Sequence, residues 1–239
     1  FKQWYVPNNA TLTVCGDFNP EEAKKLIQDY FGEIPRGEEV QSLQTADHQL
    51  TKEEVIRKEK EVPEDKVWIA WITPALYAEG DADLDIFSTL IADDNDSILT
   101  KALVFDQRIA KSVVAYQSSS RLQSIYLMEL TAAKGHSTDE LVEAADAVLA
   151  KFKSDGANAD DVEIAKNNWE SNFYWGLLNI SGKANMLSSY NTLTGDPGYM
   201  TKDIQRYLDV TADTVNATVQ KYLGSNRVVL HVNAPKAEE

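Results

Sequence analysis

Two β-prone runs, residues 112–117 and 124–132, are separated by the polar turn Ser118-Ser119-Ser120-Arg121. That spacing predicts a hairpin and so an antiparallel pair, because a connection this short cannot cross over to a parallel neighbour. Directly after it, Ser137 and Glu140 have the spacing of a capping box. Leu141, Ala144, Ala145, Val148, Leu149 and Phe152 then recur at helical spacing as far as Gly156. Hairpin signals segregated from long amphipathic helices predict an α+β fold, a mostly antiparallel sheet with helices packed on one face.

The remaining pattern fills in around this unit. Residues 10–15 (ATLTVC) alternate and read as a strand closed by Gly16-Asp17. Asn19 reads as an N-cap with Pro20 at the first helical position and Glu22 placed for a capping box. Ala23, Leu26, Ile27, Tyr30 and Phe31 form one apolar stripe, Gly32 stops the helix and Pro35-Arg36-Gly37 mark the exit. Residues 36–54 are polar and acidic, the best linker in the chain. Residues 55–62 predict a charged edge strand, and residues 67–72 (VWIAWI) a more apolar one between Pro63 and Pro74, with Trp68 and Ile72 at core positions. Helices are expected over 81–92, with Leu84, Phe87, Leu90 and Ile91 inward, and over 97–108, with Ile98, Ala102 and Phe105. Asn158 caps a helix running through Trp169 and Phe173, and Gly176, Gly182 and Gly195-Asp196-Pro197-Gly198 punctuate the residues after it. Residues 211–223 form a last helix and 227–233 (RVVLHVN) a last strand, with 235–239 an expected disordered tail.

Composition narrows the function. Asp and Glu number 38 against 23 Lys and Arg, a net charge of −15 over 239 residues. That argues against nucleic-acid phosphate and anionic lipid as partners. No apolar run is long enough for a membrane span. Cys15 is the single cysteine, which excludes an internal disulfide or a zinc–thiolate cluster; its apolar strand predicts an inert buried thiol. His48, His136 and His231 have no His or Glu partner at ligand spacing, and neither H-E-x-x-H nor H-x-x-E-H occurs, so structural or surface roles are expected for all three. Asp93-Asp94-Asn95-Asp96 lacks the Gly and terminal Glu of a calcium loop and reads as a solvated turn. There is no Gly-x-Ser-x-Gly elbow, P-loop or dinucleotide fingerprint, and Trp4, Trp68, Trp71, Trp169 and Trp175 suit core or interface packing. From these residues alone, no metal ligand and no catalytic residue is expected in this chain.

Tyr5-Val6-Pro7-Asn8-Asn9 precedes the first expected strand, and Tyr222-Leu223-Gly224-Ser225-Asn226 precedes the last. This is either coincidence or a faint repeat; a repeat makes residues 1–35 the end of one unit and 55–234 a complete second. Tyr5-x-Pro7-Asn8-Asn9-Ala10, then Gly16-Asp17, then Tyr30-Phe31-Gly32-x-Ile34-Pro35 closely resembles a segment of the pitrilysin family, which includes insulin-degrading enzyme, the mitochondrial processing peptidase and bacterial zinc proteases. The resemblance extends over nearly the whole chain. It implies tandem α+β domains of the metallohydrolase type seen in the mitochondrial processing peptidase. The first would carry the catalytic zinc on H-x-x-E-H and a later Glu, all upstream of Phe1. Residues 1–35 would then end the zinc-bearing domain, 36–54 link, and 55–234 form the whole second domain, with no zinc bound by this chain itself.

The family's second domain commonly supplies an Arg and a Tyr in a stretch resembling L-R-E-K-x-G-L-A-Y-S-V, where they hold the substrate carbonyl and stabilise the oxyanion. Against residues 103–113 that pattern puts Val104 at the Arg position and Lys111 at the Tyr position. Both expected residues are absent. Lys111 and Arg108 are left as candidate substrate contacts, with Arg121 nearby in sequence. The resemblance implies the C-terminal portion of a zinc metalloendopeptidase subunit, inactive alone, that lines half of a chamber for peptides or unfolded chains. A family-related partner subunit would complete the site in the periplasm or cell envelope. The alternative is a non-catalytic scaffold or peptide-binding homologue of the same family.

Overall fold

The computed structural model describes residues 1–41 and 49–235; His48, the middle of the expected linker and residues 236–239 of the expected tail lie outside them. In chain order the elements are α1 (Pro20–Phe31), β1 (Glu54–Glu59), β2 (Lys66–Thr73), α2 (Asp81–Ala92) and α3 (Ile98–Thr100), which continues as a π-helical turn over Lys101–Asp106. They continue with β3 (Ala110–Ser118), β4 (Ser124–Ala132), α4 (Thr138–Asp155), α5 (Ala159–Gly176), α6 (Ile180–Thr194), α7 (Met200–Leu208), α8 (Ala212–Tyr222) and β5 (Val228–Asn233). The chain divides into two compact units, residues 45–169 with 205–239, and residues 1–44 with 170–204.

The larger unit holds the sheet, in the order β1-β5-β2-β4-β3. The expected hairpin is β3–β4, and β2 pairs antiparallel with both β4 and β5; only β1 and β5 run parallel. Alternation along β2 buries Val67, Ile69, Trp71 and Thr73. These meet Tyr126, Met128 and Leu130 of β4 under α2, α4 and α8. Phe87 of α2 touches Tyr126 and Phe152, with ring centroids 5.5 and 4.9 Å apart. The helices therefore cover one face of a mostly antiparallel sheet, as expected. Trp68 and Ile72, expected in the core, lie on the other face, half-buried. A two-residue period fixes which residues share a face but not which face turns inward; here the helices settle it. On that outer face Trp68 Nε1 donates to Glu129 Oε2 at 3.1 Å.

Helix boundaries follow their caps. Ser137 and Glu140 close the capping box that starts α4, and Asn158 Oδ1 accepts from the amides of Asp160 and Asp161 at the start of α5. Between α2 and α3, Asp94 Oδ1 accepts from the amides of Asp96 and Ser97, which makes the acidic stretch a self-capped turn. The inward residues beyond that turn are Leu99 and Leu103, whereas Ile98 and Phe105 are exposed. The expected edge strand is β1, shorter than expected, with every residue exposed.

The smaller unit is built differently. Asn19 and Pro20 start α1 as expected, yet Leu26, Tyr30 and Phe31 each keep more than half their surface exposed. Residues 10–15 form no strand; Ala10 is extended at φ −126° and ψ 143°, but no ladder partner faces it among the described residues. An extended segment becomes a strand only when a neighbour satisfies its backbone. Cys15 is accordingly half-buried rather than sealed in a sheet. Helices α6 and α7 are not expected from the glycine-punctuated stretch that contains them. Gly182 is not a breaker: a Cβ there would sit 2.0 Å from the Gly176 carbonyl oxygen, so glycine is what lets α6 begin against the end of α5. Tyr190 and Asp203 are the two buried residues of this unit among those described, joined by a 2.8 Å hydrogen bond from the Tyr190 hydroxyl.

Candidate functional site

Residues 103–113, the stretch in which the Arg and Tyr positions are expected, depart from regular geometry three times. First comes the π turn, in which the Gln107 amide donates to the Ala102 carbonyl at 3.0 Å. Arg108 then takes a left-handed φ of 57°, a conformation few non-glycine residues adopt. Finally the β3–β4 register slips between Ala110 and Ser112, leaving Lys111 at a bulge. π turns, left-handed residues and bulges concentrate where a fold must aim side chains off the regular lattice.

The outcome differs for each expected residue. Val104 is half-buried against the core and offers no polar group. Lys111 projects from the bulge and pairs with Glu64. Both line a cavity of about 640 Å³ at one end of the sheet, together with Asp65, Lys134, Gly135 and His136. Arg108 is exposed and is not among the cavity walls; its Nε donates to the Phe105 carbonyl at 3.4 Å. Arg121 sits beyond the far end of β3, and at about 3.3 Å per residue the strand puts it more than about 20 Å from Lys111. The structure thus gathers Lys111 with Glu64, Lys134 and His136, and leaves Arg108 and Arg121 apart. The signal for Lys134 and His136 lay in the hairpin: Ala110 is paired with Ala132, so residues just after β4 return beside residues just after Arg108.

The cavity mixes signs. Lys111 and Lys134 stand against Glu64 and Asp65, and Asp65 Oδ1 accepts from the Ala234 amide at 2.7 Å. His136 Nδ1 lies 3.4 Å from Glu140 Oε1, and the Glu140 carboxyl is held below its usual range, first by the Ser137 amide and then by His136. Such a site can orient a peptide carbonyl or carboxylate, but it presents no nucleophile beside a base. It does not fit zinc either. His136 faces Glu140, His231 faces Thr138, and among the described residues no three His, Cys, Asp or Glu side chains converge as a metal site would need. Among those residues no helix is long and apolar enough to cross a membrane.

Comparison with known proteins bears on the whole chain. A family model described as the peptidase M16 inactive domain matches residues 1–169. The zinc protease PqqE of Helicobacter pylori is 22% identical over 234 residues, which cover 92% of this chain and 50% of that protein. A protease structure from Helicobacter pylori superposes with a TM-score of 0.86 at 19% identity, over 97% of this chain and 57% of that one. The periplasmic protease PqqL of Escherichia coli superposes with a TM-score of 0.72 at 18% identity, over 92% of this chain and 25% of that one. The chain spans about half the length of the curated relative it matches. Since that family model spans well over half of the chain, the chain belongs to the M16, or pitrilysin, peptidase family, of which it carries the inactive domain.

Proposed function

We propose that this chain is the C-terminal, metal-free portion of a zinc-dependent metalloendopeptidase subunit. It lines half of a chamber that admits peptides or unfolded chains, and a family-related partner subunit supplies what the Val104 and Lys111 positions lack. The observation that carries this reading is the uncovered apolar surface of residues 1–41. Leu12 and Val14 alternate outward with no strand beside them among the described residues, and Leu26, Tyr30 and Phe31 of α1 face solvent. Residues 1–35 are then the end of a zinc-bearing first domain whose ligands precede Phe1, residues 36–54 a linker, and 55–234 the second domain. The match to an inactive domain and the doubled length of the PqqE relative support a metal-free portion of a longer protein. Lys111 is the substrate contact, with Arg108 a second on the outer side of the turn. The likeness to a periplasmic protease supports a place in the periplasm or envelope.

The test is zinc content per chain, by elemental mass spectrometry, of the longer polypeptide that includes residues before Phe1, with the present chain as control. About one zinc on the longer protein and none on the control is expected, with cleavage of an unfolded substrate appearing only when a partner subunit is added. Full cleavage without a second protein would remove the partner from this reading. No zinc after adequate supply would overturn it in favour of a scaffold or peptide-binding homologue. The observation favouring that second reading is that Val104 packs against the core and Lys111 is already engaged by Glu64.

A further inference from the structure

Edge strand β1 is held to the sheet from one side only, by its parallel ladder with β5. A clasp on the helix side reinforces it. Arg57 of β1 donates from both terminal nitrogens to the Asp139 carboxylate in the first turn of α4, at 2.6 and 3.1 Å. The ladder partner of Arg57 is His231 of β5, which is 2% exposed. His231 Nδ1 lies 2.8 Å from Thr138 Oγ1, and the Thr138 hydroxyl donates to Asn233 Oδ1 at 3.2 Å. A hydroxyl has one proton to give, so Thr138 accepts from the ring and the imidazole proton sits on Nδ1. The bare nitrogen, Nε2, faces Asp139 Oδ1 at 3.9 Å, the same oxygen that takes the shorter Arg57 bond.

The groups around the ring are few. From β1 comes Arg57, with Glu53 just before the strand; from α4 come Asp139 and Thr138; β2 contributes the uncharged ladder partner Val67; β5 itself contributes Asn233. We propose that Arg57, Asp139 and His231 form an acid-sensitive clasp, in which a proton taken up at His231 Nε2 sets two cations on one carboxylate, loosens Arg57 and lets β1 part from β5. Burial and then the Arg57 charge push the ring's pKa below its ordinary 6.5, against a smaller upward pull from Asp139 and Glu53. The closed strand therefore favours the neutral ring, and acid favours the open one. A ring freed into water titrates near 6.5, so at pH 5 the opening equilibrium rises by at most about thirtyfold, the limit in which the closed ring stays neutral. Opening bares the edge of β5 and slackens the chain that leads into β2.

Amide exchange at Ile56 and Lys58, whose amides face β5 in the parallel ladder, corrected for intrinsic rates and divided by that of the α4 interior, reads this directly between pH 7.5 and 5. The ratio is expected to rise by several-fold and up to about thirtyfold in the natural protein. It is expected to stay flat in His231→Gln, and in Asp139→Asn to start higher at pH 7.5, because the clasp is gone, yet still to rise in acid, because the ring buried beside Arg57 is kept. A constant ratio in the natural protein, or the same rise in His231→Gln, would overturn the proposal. Nitrogen-15 spectra of the His231 ring give a check that needs no variant: Nδ1–H is expected at pH 7.5, and a ring protonated on Nε2 alone would also overturn it.

Discussion

Asp81 carries a carboxylate into the core with no solvent contact. Its Oδ1 accepts from Ser119 Oγ at 2.6 Å and Gln117 Nε2 at 3.3 Å; its Oδ2 accepts from the Tyr77 amide at 3.0 Å and Arg206 at 2.8 Å. Gln117 in turn accepts from Thr73, so one carboxylate ties the start of α2 to the ends of β2 and β3 and to α7. The Tyr77 bond also holds that residue at a left-handed φ of 66°. Removing one member of a buried, fully bonded charge pair strands the others. Asp81→Ala is expected to cost about 3 kcal/mol, read as a lower urea midpoint with an unchanged slope. His231 acts on stability through pH. Its folded pKa is depressed, so its contribution is complete above 6.5 and declines as pH falls through the lower folded value. Asp139, held down mainly by its bond to Arg57, adds a second decline below its ordinary 3.8, small because that side chain is more than half exposed. Urea midpoints at pH 7.5, 5.5 and 4.5 should fall in the natural protein, and the fall above pH 5 should vanish in His231→Gln.

Among the elements, the segment from α3 through the π turn shows where sequence patterns stop being informative. Residues 98, 102 and 105 and residues 99 and 103 both have helical spacing, and periodicity has no means of choosing between two stripes on one helix. The π turn then breaks the 3.6-residue period, leaving Leu103 buried and Phe105 in solvent. Leu103→Ala is expected to cost about 2–5 kcal/mol, whereas Phe105→Ala should change stability by less than about 0.5 kcal/mol; the reverse order would restore the inward face expected from sequence. Caps are more legible because their chemistry is local. Ser137 and Glu140 satisfy backbone groups a few residues away, whatever the rest of the fold does. Ser137→Ala should lower the urea midpoint by the equivalent of about 1 kcal/mol. The candidate site lies between these extremes. The resemblance drew attention to Val104, Arg108 and Lys111, but only the β3–β4 register brings Lys134 and His136 to Lys111, and only the loop before β2 brings Glu64. Contacts made across such distances in sequence leave no periodic trace.

At the scale of the whole molecule, the two units rest on different physics. The sheet unit encloses a continuous core of large apolar side chains, whereas the unit of residues 1–44 with 170–204 buries Tyr190 and Asp203 among its described residues. With so little apolar surface removed from water, the smaller unit has little to set against its conformational entropy. Brief proteolysis of this chain is expected to cut within residues 1–41 and 180–204 well before β2, β4 or α4, and the fragments can be located by mass spectrometry. The strand order carries a different consequence, one of timing. β5 is the last strand to be synthesised, yet it occupies the place between β1 and β2. As the polypeptide leaves the ribosome, β1 has no partner and β2 has one open side until residues 228–233 emerge. The first and last strands of the sheet must therefore find each other across more than 160 intervening residues. A stop codon just before Val228 would not trim a margin but take out an interior strand, leaving β1 without its ladder and the remaining hairpin layer with a raw flank open to other chains.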